Sequence, residues 1–268
     1  MKKLFSLVSW NVEHLRDDPE RLERVIDFVA GEKPDVFALM EVEGKTVFRP
    51  LMEMMSGYRF HITEGRQTQE ILVGVKKRLT AFFTQRTEFK SGNSYLRPGS
   101  LLTIRAGGEY HSILFLHTKS GPTPVGMGLR DDMLSRAFAL KRKLDEAQDG
   151  PANFIVVGDL NTMGMDVTGE EGFVTPEREL EIIDLNAAKV GIRRLRKDAP
   201  ATWWGGPKSS YPPSDLDHVL CSDHLKFRLR RGFEASVLGW PKQKTDRSKA
   251  RWIEQYSDHG MLWVEVVG

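Results

Sequence analysis

Apolar residues along this chain gather into short runs that break on polar residues, and the period of each run predicts its element. Lys3-Leu4-Phe5-Ser6-Leu7-Val8-Ser9 predicts a first strand. Asp18-Pro19-Glu20 offers a helix N-cap, a first-position proline and a first-turn acid. Leu22, Val25, Ile26 and Val29 follow at one-face spacing until Gly31 stops the helix. Asp35 to Met40 predicts a buried strand and Lys45 to Met55 a second helix. Ile71 to Val75, Thr80 to Thr87, Leu101 to Arg105 and Ser112 to Leu116 predict strands joined by short polar turns. An amphipathic helix over Asp131 to Ala147 places Met133, Ala137, Leu140 and Leu144 on one face. Further strands are expected at Phe154 to Val157, Leu216 to Cys221, Phe227 to Phe233 and Met261 to Val267. Mixed strands with a few helices predict an α/β sandwich.

The chain's 268 residues, 40% hydrophobic and 28% charged, fall in the ordinary globular range. No repeat or linker-like shift divides it, and the polar positions of interest spread from Asn11 to His259, so one domain over residues 1–268 is expected. No apolar stretch approaches the ~20 residues a bilayer span needs. Met1 to Ser9 is too short, and lacks the small-residue cleavage site, for a signal peptide. The single cysteine, Cys221, excludes an intramolecular disulfide and suits a reducing compartment, so a cytoplasmic location is expected. A net charge of +2 is too small by itself to diagnose a nucleic-acid binder.

Chemistry gathers where strands end. Gly158-Asp159-Leu160-Asn161 closes one apolar run, and Trp10-Asn11-Val12-Glu13, Met40-Glu41, His117-Thr118-Lys119, Leu216-Asp217-His218 and Ser257-Asp258-His259 punctuate others. Hydrolysing a phosphate ester needs a cation to neutralise phosphoryl oxygens, an in-line water, and donors for the transition-state charge. Magnesium takes hard oxygen ligands and few protein carboxylates. Glu41 is the first choice of ligand, with Asn11, Glu13 and Asp258 completing the site directly or through water. No Cys/His cluster has zinc spacing. Asp159 would orient or deprotonate the water and Asn161 fix its geometry, while His117 and His259 would donate to phosphate oxygens. Asp217 beside His259 would set its tautomer and raise its pKa. Taken singly, Asn11 also reads as a turn former, Glu41 as a helix cap, Asp159 and Asn161 as an Asx-turn, and each histidine as an ordinary core or surface residue.

Taken together and in order, these segments resemble the endonuclease/exonuclease/phosphatase superfamily, the group of exonuclease III and deoxyribonuclease I, over nearly the full chain. The resemblance implies a four-layer α/β sandwich with two central mixed β-sheets and a site where strand ends meet between them. It implies Asn11, Glu41 and Asp258 around Mg2+ (or Mn2+), Asp159 and Asn161 at the water, and a His259–Asp217 pair on the phosphate. Glu13 falls where exonuclease-III-type enzymes can carry another acidic or amide group. His117 stands where deoxyribonuclease I has histidine and apurinic-site endonucleases have tyrosine. Thr202-Trp203-Trp204 is similar to the exonuclease III segment bordering the site, and Asp215 lies where that branch tends to place arginine. Arg97 sits where superfamily members often show an arginine near the phosphate; it and Lys119 read equally as surface cations.

Basic segments give a local signal. Lys226, Arg228 and Arg230 read as the solvent face of a half-buried strand, and Arg193, Arg194, Arg196 and Lys197 cluster at the expected site border. From Trp240 through Lys242, Lys244, Arg247, Lys249 and Arg251 to Trp252, cations mix with indoles, either to contact phosphates while stacking bases or as a solvated loop. Lys119 to Arg130, rich in glycine and proline, is expected to form a flexible rim. The expected activity is a divalent-metal-dependent phosphodiesterase, a nuclease on DNA or RNA, with Arg97, Lys119, Trp203, Trp204, Trp240 and Trp252 binding substrate. The alternatives are an enzyme acting on an inositol phosphate or phospholipid, and a binding protein that keeps the fold without catalysis.

Overall fold

The computed structural model describes residues 1–16, 18–43, 47–65, 69–166 and 173–268. Strand β1 (Lys3–Leu15) leads through helix α1 (Pro19–Gly31) to β2 (Val36–Glu43) and helix α2 (Phe48–Met54). Five strands follow: β3 (Tyr58–Ile62), β4 (Gln69–Lys76), β5 (Ala81–Arg86), β6 (Gly99–Ala106) and β7 (Glu109–His117). The long helix α3 (Pro124–Gln148) precedes β8 (Asn153–Asp159), α4 (Pro176–Ala188) and β9 (Ile192–Arg194). Strands β10 (Asp217–Ser222), β11 (Lys226–Phe227) and β12 (Ala235–Leu238), helix α5 (Asp246–Gln255) and β13 (Met261–Val267) complete the chain.

One sheet runs β11-β13-β1-β2-β4-β3, with β12 also paired to β13, and the other runs β5-β6-β7-β8-β10-β9. Both are mixed: β1 with β2 and β7 with β8 are parallel, and their neighbours are antiparallel. Side chains alternate along each strand, so β1 sends Phe5 and Leu7 into the core between the sheets and Val8, Trp10 and Val12 under α1, α2 and α5. In the second sheet Ile113, Phe115, Ile155 and Val157 face the first sheet, while Leu114, Leu116, Phe154 and Val156 face Met133, Ala137 and Ile183 of α3 and α4. The result is the expected four-layer α/β/β/α sandwich. Burial on both faces explains why these strands read as nearly unbroken apolar runs.

Several boundaries differ from the pattern-based expectation. Thr123 caps α3 by accepting from the Gly126 N–H, with Pro124 in the first turn, so much of the presumed rim from Lys119 to Arg130 is helix. The strand expected over Phe227 to Phe233 stops at Phe227. Beyond it Arg228 pairs with Glu265, and the Arg230 guanidinium lies 3.3 Å above the Trp263 ring, so these cations do not form a strand's solvent face. The helix expected from Lys45 is α2, and Lys45 itself lies outside the described residues. No helix among the described residues is long and apolar enough to cross a membrane.

Strand register gathers the polar positions. Asn11 pairs with Met40, beside Glu41; His117 and Asp217 each pair with Asp159 from opposite sides. The two sheets touch at Gly158. A Cβ there would run into the Leu116 carbonyl and the Met40 methyl, so only a bare backbone lets Met40 of the first sheet reach β8. Met40 Sδ accepts a hydrogen bond from the Asp159 N–H at 3.3 Å.

Candidate active site

Asp159 is the hub. Its Oδ2 accepts from Asn11 Nδ2 at 3.0 Å and its Oδ1 from the Asn161 N–H at 3.0 Å, while Asn161 Nδ2 anchors to the Thr118 carbonyl. His117 Nε2 lies 3.5 Å and His259 Nε2 3.7 Å from the same Oδ2. Burial foremost pushes the Asp159 carboxyl up to about 7; Asp217 pushes the same way, against the charge of His259.

His259 is held from behind. Its Nδ1 is 2.8 Å from Asp217 Oδ2, and Thr202 Oγ1 accepts the Leu216 and Asp217 N–H groups, fixing the start of β10. Burial opposes the charged ring, but Asp217, Asp159 and Asp258 outweigh it and raise the His259 pKa. Trp10 Nε1 donates to the His259 carbonyl and Ser257 Oγ to the Asn11 carbonyl, which stitches this segment to β1. His117 differs. Burial first, then Arg97 and His259, hold its pKa well below the ordinary value, the opposite direction to His259.

Acidic oxygens occupy the opposite wall. Glu41 Oε1 accepts from Asn11 Nδ2 at 3.3 Å and Oε2 from the His14 N–H at 3.1 Å. Asp258 Oδ2 accepts from Trp203 Nε1 at 2.6 Å, its N–H donates to Glu13 Oε2, and its buried Oδ1 has no hydrogen-bond partner, with His259 Nε2 3.9 Å away. Burial and then mutual repulsion raise the pKa of Glu13; burial is also the main cause at Asp258. An unpartnered buried oxygen among carboxylates is the donor set a hard divalent cation satisfies, so these residues fit such an ion. Asp159, Asp217 and His259 also cluster closely enough to ligate. Asp217 and His259 Nδ1 satisfy each other, however, and that trio serves better as an acid–imidazole chain than as a cage. Glu13, His14, Glu41 and Asn161 all have φ between 47° and 62°, left-handed conformations that cost energy and gather at this one place.

A cleft of about 370 Å³ is lined by Asn11, Glu13, Glu41, His117, Asp159, Asn161, Asp258 and His259, together with Arg97 and Trp203. Arg97 donates to the Gln69 carbonyl and faces the acidic wall. The remaining expected substrate contacts are not in the lining. Lys119 is half-buried beyond His117, and Trp204 lies against Trp240 with its N–H on the Asp258 carbonyl. Trp240 and Trp252 are corrections: at 4% and 8% exposure they belong to the core, where Trp252 lies parallel to Tyr256 and touches Trp10. Three cations of the basic cluster at β9 are spent locally, Arg193 on Glu234, Arg194 on Asp184 and Lys197 on Asp215, while Arg196 is exposed. Sequence reasoning missed His14, Gln69 and Met163 in the lining and Glu43, which holds His14 Nδ1 at 2.6 Å. Glu43 follows Glu41 at strand spacing, a signal that was present; the kink in β1 that sets the exposed His14 at the cleft rim has none.

A family model described as Endonuclease/Exonuclease/phosphatase family matches residues 8–259. The chain belongs to this family. Endonuclease/exonuclease/phosphatase proteins are phosphoric ester hydrolases dependent on a divalent metal, and the carboxylate and histidine cluster fits that chemistry. Truncated Caenorhabditis elegans TDP2 superposes with TM-score 0.66 at 19% identity, covering 98% of each chain. D. rerio TDP2 complexed with single strand DNA product gives 0.65 at 16%, covering 98% of this chain and 99% of that one. A Bacteroides thetaiotaomicron mannosyl-6-phosphatase gives 0.62 at 16%, covering 98% and 100%. These likenesses establish the deoxyribonuclease I-like fold. No curated protein sequence matches the chain.

Proposed function

We propose that residues 1–268 act as one unit, a magnesium- or manganese-dependent phosphodiesterase that hydrolyses nucleic acid by in-line attack of water. The observation that carries this reading is the fixed Asp159 carboxylate, clamped by Asn11 and Asn161 between two histidines and facing Glu41. Its upward-shifted pKa suits a group that takes a proton from water near neutral pH. His259, charged through Asp217, donates to a phosphoryl oxygen and offsets charge gathering there. His117 places a second imidazole nitrogen on the other side of Asp159. Glu41 and Asp258, with Asn11 and Glu13, would hold the divalent cation, which when bound neutralises the phosphate. Trp203 supports a nucleic-acid substrate, because its indole borders the cleft while its N–H is tied to Asp258.

The test is a panel of single-stranded, double-stranded, abasic and RNA oligonucleotides beside a sugar phosphate, inositol phosphates and sphingomyelin, each with and without magnesium. Fastest metal-dependent turnover of an oligonucleotide is expected, lost with Asp159→Asn. Faster turnover of a phosphomonoester overturns the nuclease reading, and no turnover of any phosphoester overturns the enzyme.

A further inference from the structure

The mixed segment from Trp240 to Trp252 is divided by α5. Thr245 and Ser248 cap the helix reciprocally, Trp252 turns inward, and Arg247 and Arg251, about 6 Å apart along the axis, point outward. A groove of about 830 Å³ separates this outer face from the loop closed by the Trp203–Ser214 bridge, and is lined by Pro207, Arg247, Ala250, Arg251, Glu254 and Gln255. The exposed Lys208 stands next to Pro207 on the facing loop. Lys242 pairs with Asp198 and Lys249 with Asp246, whereas Lys244, Arg247 and Arg251 take part in no ion pair among the described residues.

One loop borders both sites, with Trp203 in the lining of the cleft and Pro207 in the lining of the groove. Trp203 lines the cleft and its indole N–H donates to Asp258 Oδ2, the backbone N–H of the adjacent Trp204 donates to the Asp258 carbonyl, and Lys249 of α5 sits 6.0 Å above the Trp204 ring. An extended polyanion leaving the cleft along this wall meets unpaired guanidinium groups. None of the described residues lining the groove carries an indole, and Trp240 and Trp252 are buried.

We propose that this groove holds the phosphodiester backbone of the nucleic-acid strand beyond the cleaved bond, by charge and without base stacking, which rests on the nuclease reading above. Binding there is indifferent to base identity and sensitive to salt, because each phosphate neutralised releases counterions. Glu254 is the one carboxylate lining the groove and weakens it.

The experiment compares wild type, Arg247→Ala/Arg251→Ala and Glu254→Gln on a long single-stranded oligonucleotide and on bis(p-nitrophenyl) phosphate, which is too small to reach the groove. The double variant should raise KM for the oligonucleotide about tenfold and lower the salt slope of binding by about two, with the small diester unaffected. Glu254→Gln should lower the oligonucleotide KM. Equal change on both substrates, or none on the oligonucleotide in either variant, overturns the groove while leaving the nuclease reading intact. Wild type that cleaves the small diester but neither binds nor cleaves oligonucleotides overturns both.

Discussion

Asp217 Oδ2 lies 2.8 Å from His259 Nδ1, and both side chains are buried. The carboxylate orients the ring so that Nε2 faces Asp159, and it supports the charge the ring carries. Asp217→Asn keeps the shape and removes the charge. We expect kcat to fall by about 10²–10⁴ with KM little changed and the fold intact by circular dichroism. A loss confined to KM contradicts this role.

Glu13, Glu41 and Asp258 crowd acidic oxygens into one wall, and Asp258 Oδ1 accepts no hydrogen bond from the protein. Magnesium or manganese should therefore stabilise the folded protein, by about 2.7 kcal/mol at a hundred times the Kd. Chelator should remove both this gain and the activity. In a thermal melt Glu41→Gln should lose most of the metal-dependent rise in Tm; a rise equal to wild type would place the ion elsewhere.

Far from the cleft, Asp35 receives the Ser6 N–H and three cations, Lys3, Lys76 and Arg78. Burial opposes its ionisation, but Lys3, Lys76 and Ser6 win and hold its pKa far below the usual 3.8. A carboxyl more acidic in the folded than in the unfolded chain stabilises fully above the unfolded pKa, and the stabilisation drains away as pH falls toward the folded one. Urea unfolding should thus show stability falling below about pH 4. Asp35→Asn should be less stable by about 3 kcal/mol at neutral pH and show a shallower acid loss. An unchanged acid slope would rule Asp35 out as its source.

Trp252 tests core against surface. Trp252→Ala should destabilise by about 3–5 kcal/mol, whereas Trp252→Phe, which keeps most of the contact with Trp10 and Tyr256, should leave KM for any substrate unchanged. A selective rise in KM with Trp252→Phe would return the indole to the substrate.

Much of this arrangement was legible because it follows strand periodicity. His117, Asp159 and Asp217 sit at strand ends and Asp258-His259 just before β13, while Asn11 and Glu41 lie at the register breaks of β1 and β2, and layer order brings them to one place. Glu13 and Arg97 also reached the cleft. Local composition failed where tertiary packing decides orientation. Trp240 to Trp252 reads as alternating charge and indole, yet α5 has a 3.6-residue period that turns cations out and Trp252 in. The short strands β3, β9 and β12 were missed because two of them, with four residues or fewer, carry too few positions to show alternation, and β3 is only half-buried. The downward pKa shift of His117 comes first from burial, which no motif encodes.

Gly158 leaves the two sheets in direct touch, with Met40 seated against bare backbone and its sulfur on the Asp159 amide. The spacing between the carboxylate offered to the cation and the carboxylate offered to water is therefore a dimension of the hydrophobic interior. A methyl group at residue 158 would strike the Leu116 carbonyl of its own sheet and the end of the Met40 side chain from the other. Heating that loosens the sheet interface should silence catalysis at a lower temperature than it unravels the chain.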